Sequence, residues 1–235
     1  MPRPRLKGKK LANHLMFTKD ESRVLVIGDL HEPFCLDGYL EFCIETYNSF
    51  NCNRVLMIGD LVDNHFSSYH EASADGYGGG EELELAIKKL SKWYEAFPVA
   101  DVTLGNHDII ISRKAQTSAI PSKWIKDYKD VLEVPDWNFV HRIVIDGVQY
   151  VHGIGSKAHV RCVKDMQSTI SGHHHTEAYT MWKVGANAKC FGMQVGCGID
   201  KDSYAMAYGR WFPKPAIGCG VVIGGHTPIN IMMDL

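Results

Sequence analysis

The sequence predicts a single α/β domain, and three observations carry that expectation. The chain has 235 residues, 45% hydrophobic and 22% charged, enough to bury one substantial core. Short β-branched runs alternate with longer stretches of helical periodicity. Polar clusters sit where the apolar runs stop, the place where α/β sheets collect ligands.

Taken in order, RVLVIG at 23–28 is an apolar run ending in glycine and reads as a buried strand. Helical spacing from Asp37 through Tyr39, Leu40, Cys43, Ile44, Tyr47 and Phe50 predicts a helix, and NRVLMIGD then repeats the first strand's pattern at Val55–Ile58. DNHFSSYHEASADGYGGG is long, polar and glycine-rich, so it reads as a loop at about 64–80, of a length uncommon unless it serves a site. EELELAIKKLSKWYEAF is a helix with acidic residues in its first turn and a stripe of Leu83, Ile87, Leu90 and Tyr94. VADVTLGNHD is a third strand closing on a polar turn, followed by a helix at 123–131. FVHRIVIDGVQYVHG is a hairpin turning at Asp146-Gly147. The last third is glycine-rich and strand-like, with a second hairpin turning at Gly224-Gly225-His226-Thr227-Pro228.

Composition excludes several classes. Net charge is −2, so no global pull toward nucleic acid or membrane exists. The local exception is MPRPRLKGKK, where Arg3, Arg5, Lys7, Lys9 and Lys10 form a basic tail within residues 1–20. Such a tail grips phosphates or, more commonly, is a solvated arm. The seven cysteines are scattered without a CxxC pair, which argues against a disulfide framework or structural zinc and for a reducing, cytoplasmic compartment. No apolar run approaches the roughly 18 residues of a membrane span, and no signal-peptide core is present. The expected organisation is a tail at 1–20 and one domain at 21–235.

The chemistry lies in the strand-end clusters: GDLH at 28–31, GDLVDN at 59–64, GNHD at 105–108, VHG at 151–153 and GHHH at 172–175. Each alone reads as an ordinary turn. Together they offer carboxylates, imidazoles and one carboxamide, an oxygen and nitrogen donor set suited to divalent Mn, Fe or Zn. Adjacent glycines permit the close backbone approach that convergence needs.

The series DxH, GDxxD, GNHD, HG and GHxH, spanning about residues 23–175, resembles the signature of the calcineurin-like metallophosphoesterases. The loop DNHFSSYHE with the helix GGGEELELAIKKL looks most like phage-encoded members, which would place the protein in a host cell's cytoplasm. The resemblance implies a four-layer α/β/β/α sandwich of two mixed sheets around a dinuclear centre. It implies Asp29 and His31 on one metal, Asp60 bridging both, and Asn106 and His152 on the second. His173 would join the second metal and His175 the first. His107 would be the catalytic histidine, oriented by Asp63. The implied cofactors are two divalent ions, manganese foremost, with Fe, Zn, Co and Ni admitted by the same donors.

The implied reaction is hydrolysis of a phosphoester, by attack of a metal-bridging hydroxide in line with a leaving group protonated by His107. A phosphodiester in a nucleotide or nucleic acid is the favoured substrate. A protein or small-molecule phosphomonoesterase is the alternative, weakened by Asn64 standing where protein phosphatases carry the arginine of GDxxDRG. A binding scaffold without catalysis is the non-enzymatic alternative, weakened by a full ligand set. Asn64 and His65 are candidate substrate contacts against loop solvation, His70 a weaker one, and His14, His141 and His159 read as surface or hairpin residues. In GHHH, an extended backbone would point His173 and His175 to one face and His174 away. His226 of GGHTP, in a hairpin turn beyond a completed set, is redundant.

Overall fold

A computed structural model describes residues 21–69, 76–204 and 213–234. The basic tail, His14 and His70 lie outside the described residues. Two mixed sheets pack face to face. The first runs in the order β11-β10-β1-β2-β3-β4, from β1 (Arg23–Ile27), β2 (Arg54–Met57), β3 (Asp101–Thr103), β4 (Asn138–Val140), β10 (Gly218–Ile223) and β11 (Thr227–Met232). Strands β1 to β4 are parallel, and the β10–β11 hairpin adds antiparallel to β1. The second sheet runs β5-β6-β7-β9-β8, from β5 (Ile143–Ile145), β6 (Val148–Tyr150), β7 (Thr169–Ser171), β8 (Tyr179–Val184) and β9 (Lys189–Gln194). In it β6, β7 and β9 are mutually parallel.

The apolar run of β1 is continuous because both of its faces are buried. Val24 and Val26, with Leu56 and Ile58 after them, enter the core between the sheets and meet Tyr150, Ile170, Phe191 and Met193. Leu25, Ile27, Val55 and Met57 alternate to the opposite face and meet α1 (Tyr39–Ser49) and α2 (Gly79–Ala96). On the far side of the second sheet lies α5 (Ala158–Asp165), whose Ala158 and Cys162 are buried beside β9. The layers are therefore α/β/β/α.

Several elements differ from the sequence expectation. The segment 123–131 is not one helix: it is a 3-10 turn, Ser122–Trp124, an extended Ile125, and a single helical turn, α4 (Tyr128–Val131). None of the residues of either turn is buried, so no apolar face holds a longer helix together. Helices α3 (Ile110–Thr117) and α5 escape the pattern reading because each has eight residues, no side-chain N-cap and only two buried positions. In α2 the buried stripe is Glu82, Ala86, Leu90 and Trp93, while Leu83, Ile87 and Tyr94 are partly buried beside it. Phe139 belongs to β4 of the first sheet, and the hairpin proper starts at Ile143, after the chain crosses between sheets. Its turn is as expected: Ile145 pairs with Val148, and Asp146 and Gly147 both take positive φ, 48° and 77°.

One buried hydroxyl ties this frame to the strand end that matters most. Tyr39 of α1 donates to the Gly218 carbonyl at 2.8 Å and accepts from the Gly28 N–H at 3.2 Å, immediately before Asp29. Tyr39→Phe strands both backbone groups in the core. A loss of about 1–3 kcal/mol in urea unfolding, with an unchanged m-value, is expected; an unaltered midpoint would remove this hydroxyl from the frame.

Candidate metal centre

The parallel strands of both sheets end at one place. Gly28-Asp29-Leu30-His31 follows β1, Gly59-Asp60 follows β2 and Gly105-Asn106-His107-Asp108 follows β3. His152 follows β6, and Gly172 to His175 follow β7. Two glycines let these turns touch. A Cβ on Gly105 would collide with the Asp60 carboxylate and amide, and one on Gly172 with the Asp29 carboxylate.

Among the described residues three donor clusters have their ligand atoms within 4.8 Å of one another: Asp29, His31, Asp60 and His175; Asp60, His152 and His173; and His31, Asp63 and His107, the last joined by the His31–Asp63 hydrogen bond. Asn106 joins the second, its Oδ1 3.0 Å from His152 Nε2. Asp60 belongs to the first and the second, with Oδ2 3.0 Å from His152 Nε2 and 3.6 Å from His31 Nε2. His175 Nε2 lies 3.1 Å from Asp29 Oδ2.

The hydrogen bonds around the clusters fix the tautomers. His31 Nδ1 is 2.6 Å from Asp63 Oδ1, which places its proton there and leaves Nε2 as a lone pair. His152 Nδ1 donates to the Ile58 carbonyl at 2.9 Å, so Nε2 is the nitrogen that faces two oxygens, with a proton on it until a cation takes that proton's place. Lone pairs facing oxygens need a cation or a proton between them. Asp29 Oδ1 and His31 Nε2 are buried and lack any hydrogen-bond partner. The donor set thus fits divalent cations on both sides of Asp60.

Charge tells the same story. Burial opposes ionisation of Asp29 and Asp60, but His152 and its neighbours outweigh it, and both carboxyls lie below the usual range, Asp60 well below. For His152 burial works against the proton, yet Asp60 and Asp29 prevail and push it up to about 10. His173, desolvated and beside His152, is pulled down to about 4. At His107 burial is outweighed by Asp60 and Asp63, which raise it.

Three placements refine the sequence reading. The Asp63 carboxylate bonds directly to His31; it lies 3.5 Å from His107 Nδ1, which is held instead by the Asp63 main-chain carbonyl at 2.6 Å. Asp63 orients His107 chiefly through its backbone. The GHHH segment is not extended: His173 takes φ 72°, and the His174 N–H bonds to the Gly172 carbonyl at 2.9 Å. The two outer histidines reach different clusters because this turn separates them, rather than by strand alternation. Asn64 and His65 have protein partners. The Asn64 amide donates to the His107 carbonyl at 3.0 Å, and His65 is buried beside Asp63 and the Tyr204 ring. His226 is in the β10–β11 turn, with Nε2 2.8 Å from Glu21.

Two residues carry parts of the site that pattern reading passes over. Asp108, the last letter of GNHD, accepts backbone N–H bonds from Asp60, Gly105 and Leu61 at 2.8, 2.8 and 2.9 Å. It clamps the β2 and β3 turns together. Burial and the nearby Asp60 raise its pKa to about 6. Glu82 of α2 accepts from the His65 and Phe66 N–H groups at 2.7 and 3.2 Å, which is why it is buried.

A family model described as calcineurin-like phosphoesterase matches residues 22–230. The chain belongs to that family. Calcineurin-like phosphoesterases are metal-dependent phosphoester hydrolases, and so is this protein. Among solved structures the chain is similar to the phosphoesterase Yfce from E. coli (TM-score 0.43, 12% identity, 85% of this chain and 87% of that one). It is also similar to a metallophosphoesterase from Sphaerobacter thermophilus (TM-score 0.45, 13% identity, 90% and 87%) and to the nuclease MPE from Pseudomonas putida (TM-score 0.34, 13% identity, 88% and 87%). No curated protein matches it. Among the described residues, no helix is long and apolar enough to cross a membrane.

Asp108→Asn turns an NH₂ group toward backbone donors in this calcineurin-like site. Expected are a loss of at least about 2 kcal/mol in denaturant unfolding and weaker divalent-metal binding by calorimetry. Wild-type values for both would sink the clamp.

Proposed function

We propose that the protein is a dinuclear phosphodiesterase acting on a nucleotide or nucleic acid, with manganese as its favoured ion. The observation that supports it is the shared carboxylate: Asp60 stands between a cluster of Asp29, His31 and His175 and one of Asn106, His152 and His173. Those residues would hold two divalent ions, which would supply a nucleophilic water at neutral pH and offset the charge of the phosphoryl oxygens.

The chain's own groups do the rest. The Asp60 Oδ1 atom accepts the His107 N–H at 2.8 Å, so the bridging carboxylate also sets the position of the His107 backbone. With His107 Nδ1 bound to the Asp63 carbonyl, Nε2 is the nitrogen left to carry a proton to the departing oxygen. Asn64, bonded to the His107 carbonyl, steadies the same loop. Its neutrality supports a diester. A monoester dianion asks for a further cation, such as the arginine that protein phosphatases hold at this position, whereas a diester carries one charge. The resemblance of the 64–80 loop to phage-encoded members supports a nucleic-acid role and a host-cytoplasm setting.

A substrate panel with manganese tests the reading: an aryl diester should turn over faster than the aryl monoester, and Asp60→Asn should lose both activities. Preference for the monoester would overturn it. Metal loading itself should stabilise the fold, by about 2.7 kcal/mol when free ion exceeds Kd a hundredfold, reversed by chelation. His107→Ala should keep its metal yet lose about 10²- to 10⁴-fold with poor leaving groups and less with an activated aryl ester. Equal losses on both substrates would remove His107 as the acid.

A further inference from the structure

The metal centre does not account for a cavity of about 900 Å³ between α2, α3 and the segment 120–132. Its wall includes Asn64 and Asp108, the two residues that brace the catalytic turn, so it lies beside the metal centre. Its interior is largely apolar, with Leu83, Ala86 and Ala115 among the lining residues. The two carboxylates that face it from α2 and the GNHD turn, Glu82 and Asp108, are already bound to backbone N–H groups. Asp127 is the remaining acid of the wall.

The rim is different. Phe66 and Trp124 line the cavity from opposite segments and are 60% and 81% exposed; Tyr69, just past the turn that carries Phe66, is 62% exposed. Over the Tyr69 ring stand two cations of α3, the Arg113 guanidinium at 5.4 Å and the Lys114 ammonium at 5.5 Å from its centroid. Exposed Lys126 also lines the cavity, two residues from Trp124. Aromatic faces left in water beside cations, next to a phosphoesterase centre, match one ligand chemistry well: unstacked bases on a polyanionic backbone. A duplex keeps its base faces inside the stack and has no use for such platforms. An apolar peptide would fill the interior but leave the cations unanswered.

We propose that this rim binds single-stranded nucleic acid, with bases stacking on Phe66 and Trp124 and phosphates at Lys126 and at Arg113 and Lys114, which the Tyr69 ring holds in place, and leads the strand to the metal centre. The proposal rests on the phosphodiesterase reading above and names its substrate. The test uses the metal-loaded full chain and cleavage-resistant phosphorothioate strands of about a dozen nucleotides. One strand is oligo-dT, one oligo-rU and one a self-paired hairpin, and all are read by fluorescence anisotropy. Single strands should bind more tightly than the hairpin, and the dT and rU arms tell DNA from RNA. Trp124→Ala should weaken binding roughly 5- to 150-fold, with most of it restored in Trp124→Phe. Arg113→Gln and Lys114→Gln should flatten the salt dependence. With cleavable strands, kcat/KM on the strand relative to that on an aryl diester should fall in Trp124→Ala by a like factor. Single-strand binding that is absent, or equal in wild type and Trp124→Ala, overturns the surface while leaving any aryl diesterase activity, and the reading above, in place. A protein that binds single strands through Trp124 yet hydrolyses no diester instead sinks the phosphodiesterase reading alone.

Discussion

Asp60 is the group on which the rest of the structure depends. It is a buried carboxylate held as an anion, a few ångströms from buried imidazoles and in the same site as a second buried anion, Asp29, whose ionisation it opposes. Removing such charges from water costs several kcal/mol each, and partial partners seldom repay it. The fold therefore has to hold them in place against both repulsion and the pull of solvent. It does so by ending parallel strands of two sheets at one seam, where N–H groups of the following turns reach the carboxylates. His107 gives its N–H to Asp60 and His173 its N–H to Asp29, while Asp108 collects the N–H groups of the turn around Asp60 itself. Two buried atoms of the site, Asp29 Oδ1 and His31 Nε2, are left without a hydrogen-bond partner, as a cation site requires.

Much of this architecture was legible in the sequence because burial on both faces writes a distinctive pattern. RVLVI and RVLM have no polar alternation, which is what strands between two apolar layers require. Asp146-Gly147 was legible for a different reason, since few dipeptides adopt positive φ twice in succession. What stayed hidden were the elements with little apolar surface to display. Helices α3 and α5 bury two residues each, and the crossing between sheets at 141–142 leaves no periodic trace inside a run that resembles one long hairpin.

The same distinction governs the site. Candidate ligand positions are marked in sequence by their chemistry and by neighbouring glycines, and donor atoms of residues named from the clusters do lie near one another. Residues that act on the backbone leave no such mark. Asp108 reads as one more polar letter of a turn, and Glu82 as an acidic first-turn residue, until their N–H partners are seen. Asp63 was named for its carboxylate, but its carbonyl carries the bond to His107. The GHHH segment shows how a choice of residues can rest on a geometry that the fold does not adopt. Alternation would send His173 and His175 to one face, whereas the left-handed turn at His173 delivers them to opposite sides of Asp60.

These observations separate two kinds of surface within one cleft. The candidate metal centre is tightly held: its donor residues sit two to four residues past strand ends, and its backbone is clamped by Asp108 and Asn64. Such a centre recognises a phosphoryl group and little else, because a phosphate presents the same oxygens whatever it joins. Discrimination among phosphoesters has to come from groups that touch the remainder of the substrate. The segments that stand beside the centre, from Asn64 to Tyr69 and from Ser122 to Tyr128, are the ones with short or irregular secondary structure and exposed aromatic rings. Glu82 joins the two functions, since a helix of the rigid frame holds the first turn of the variable loop through its carboxylate. Chemistry is thus fixed by the sheets, and selectivity is left to the loops that they carry.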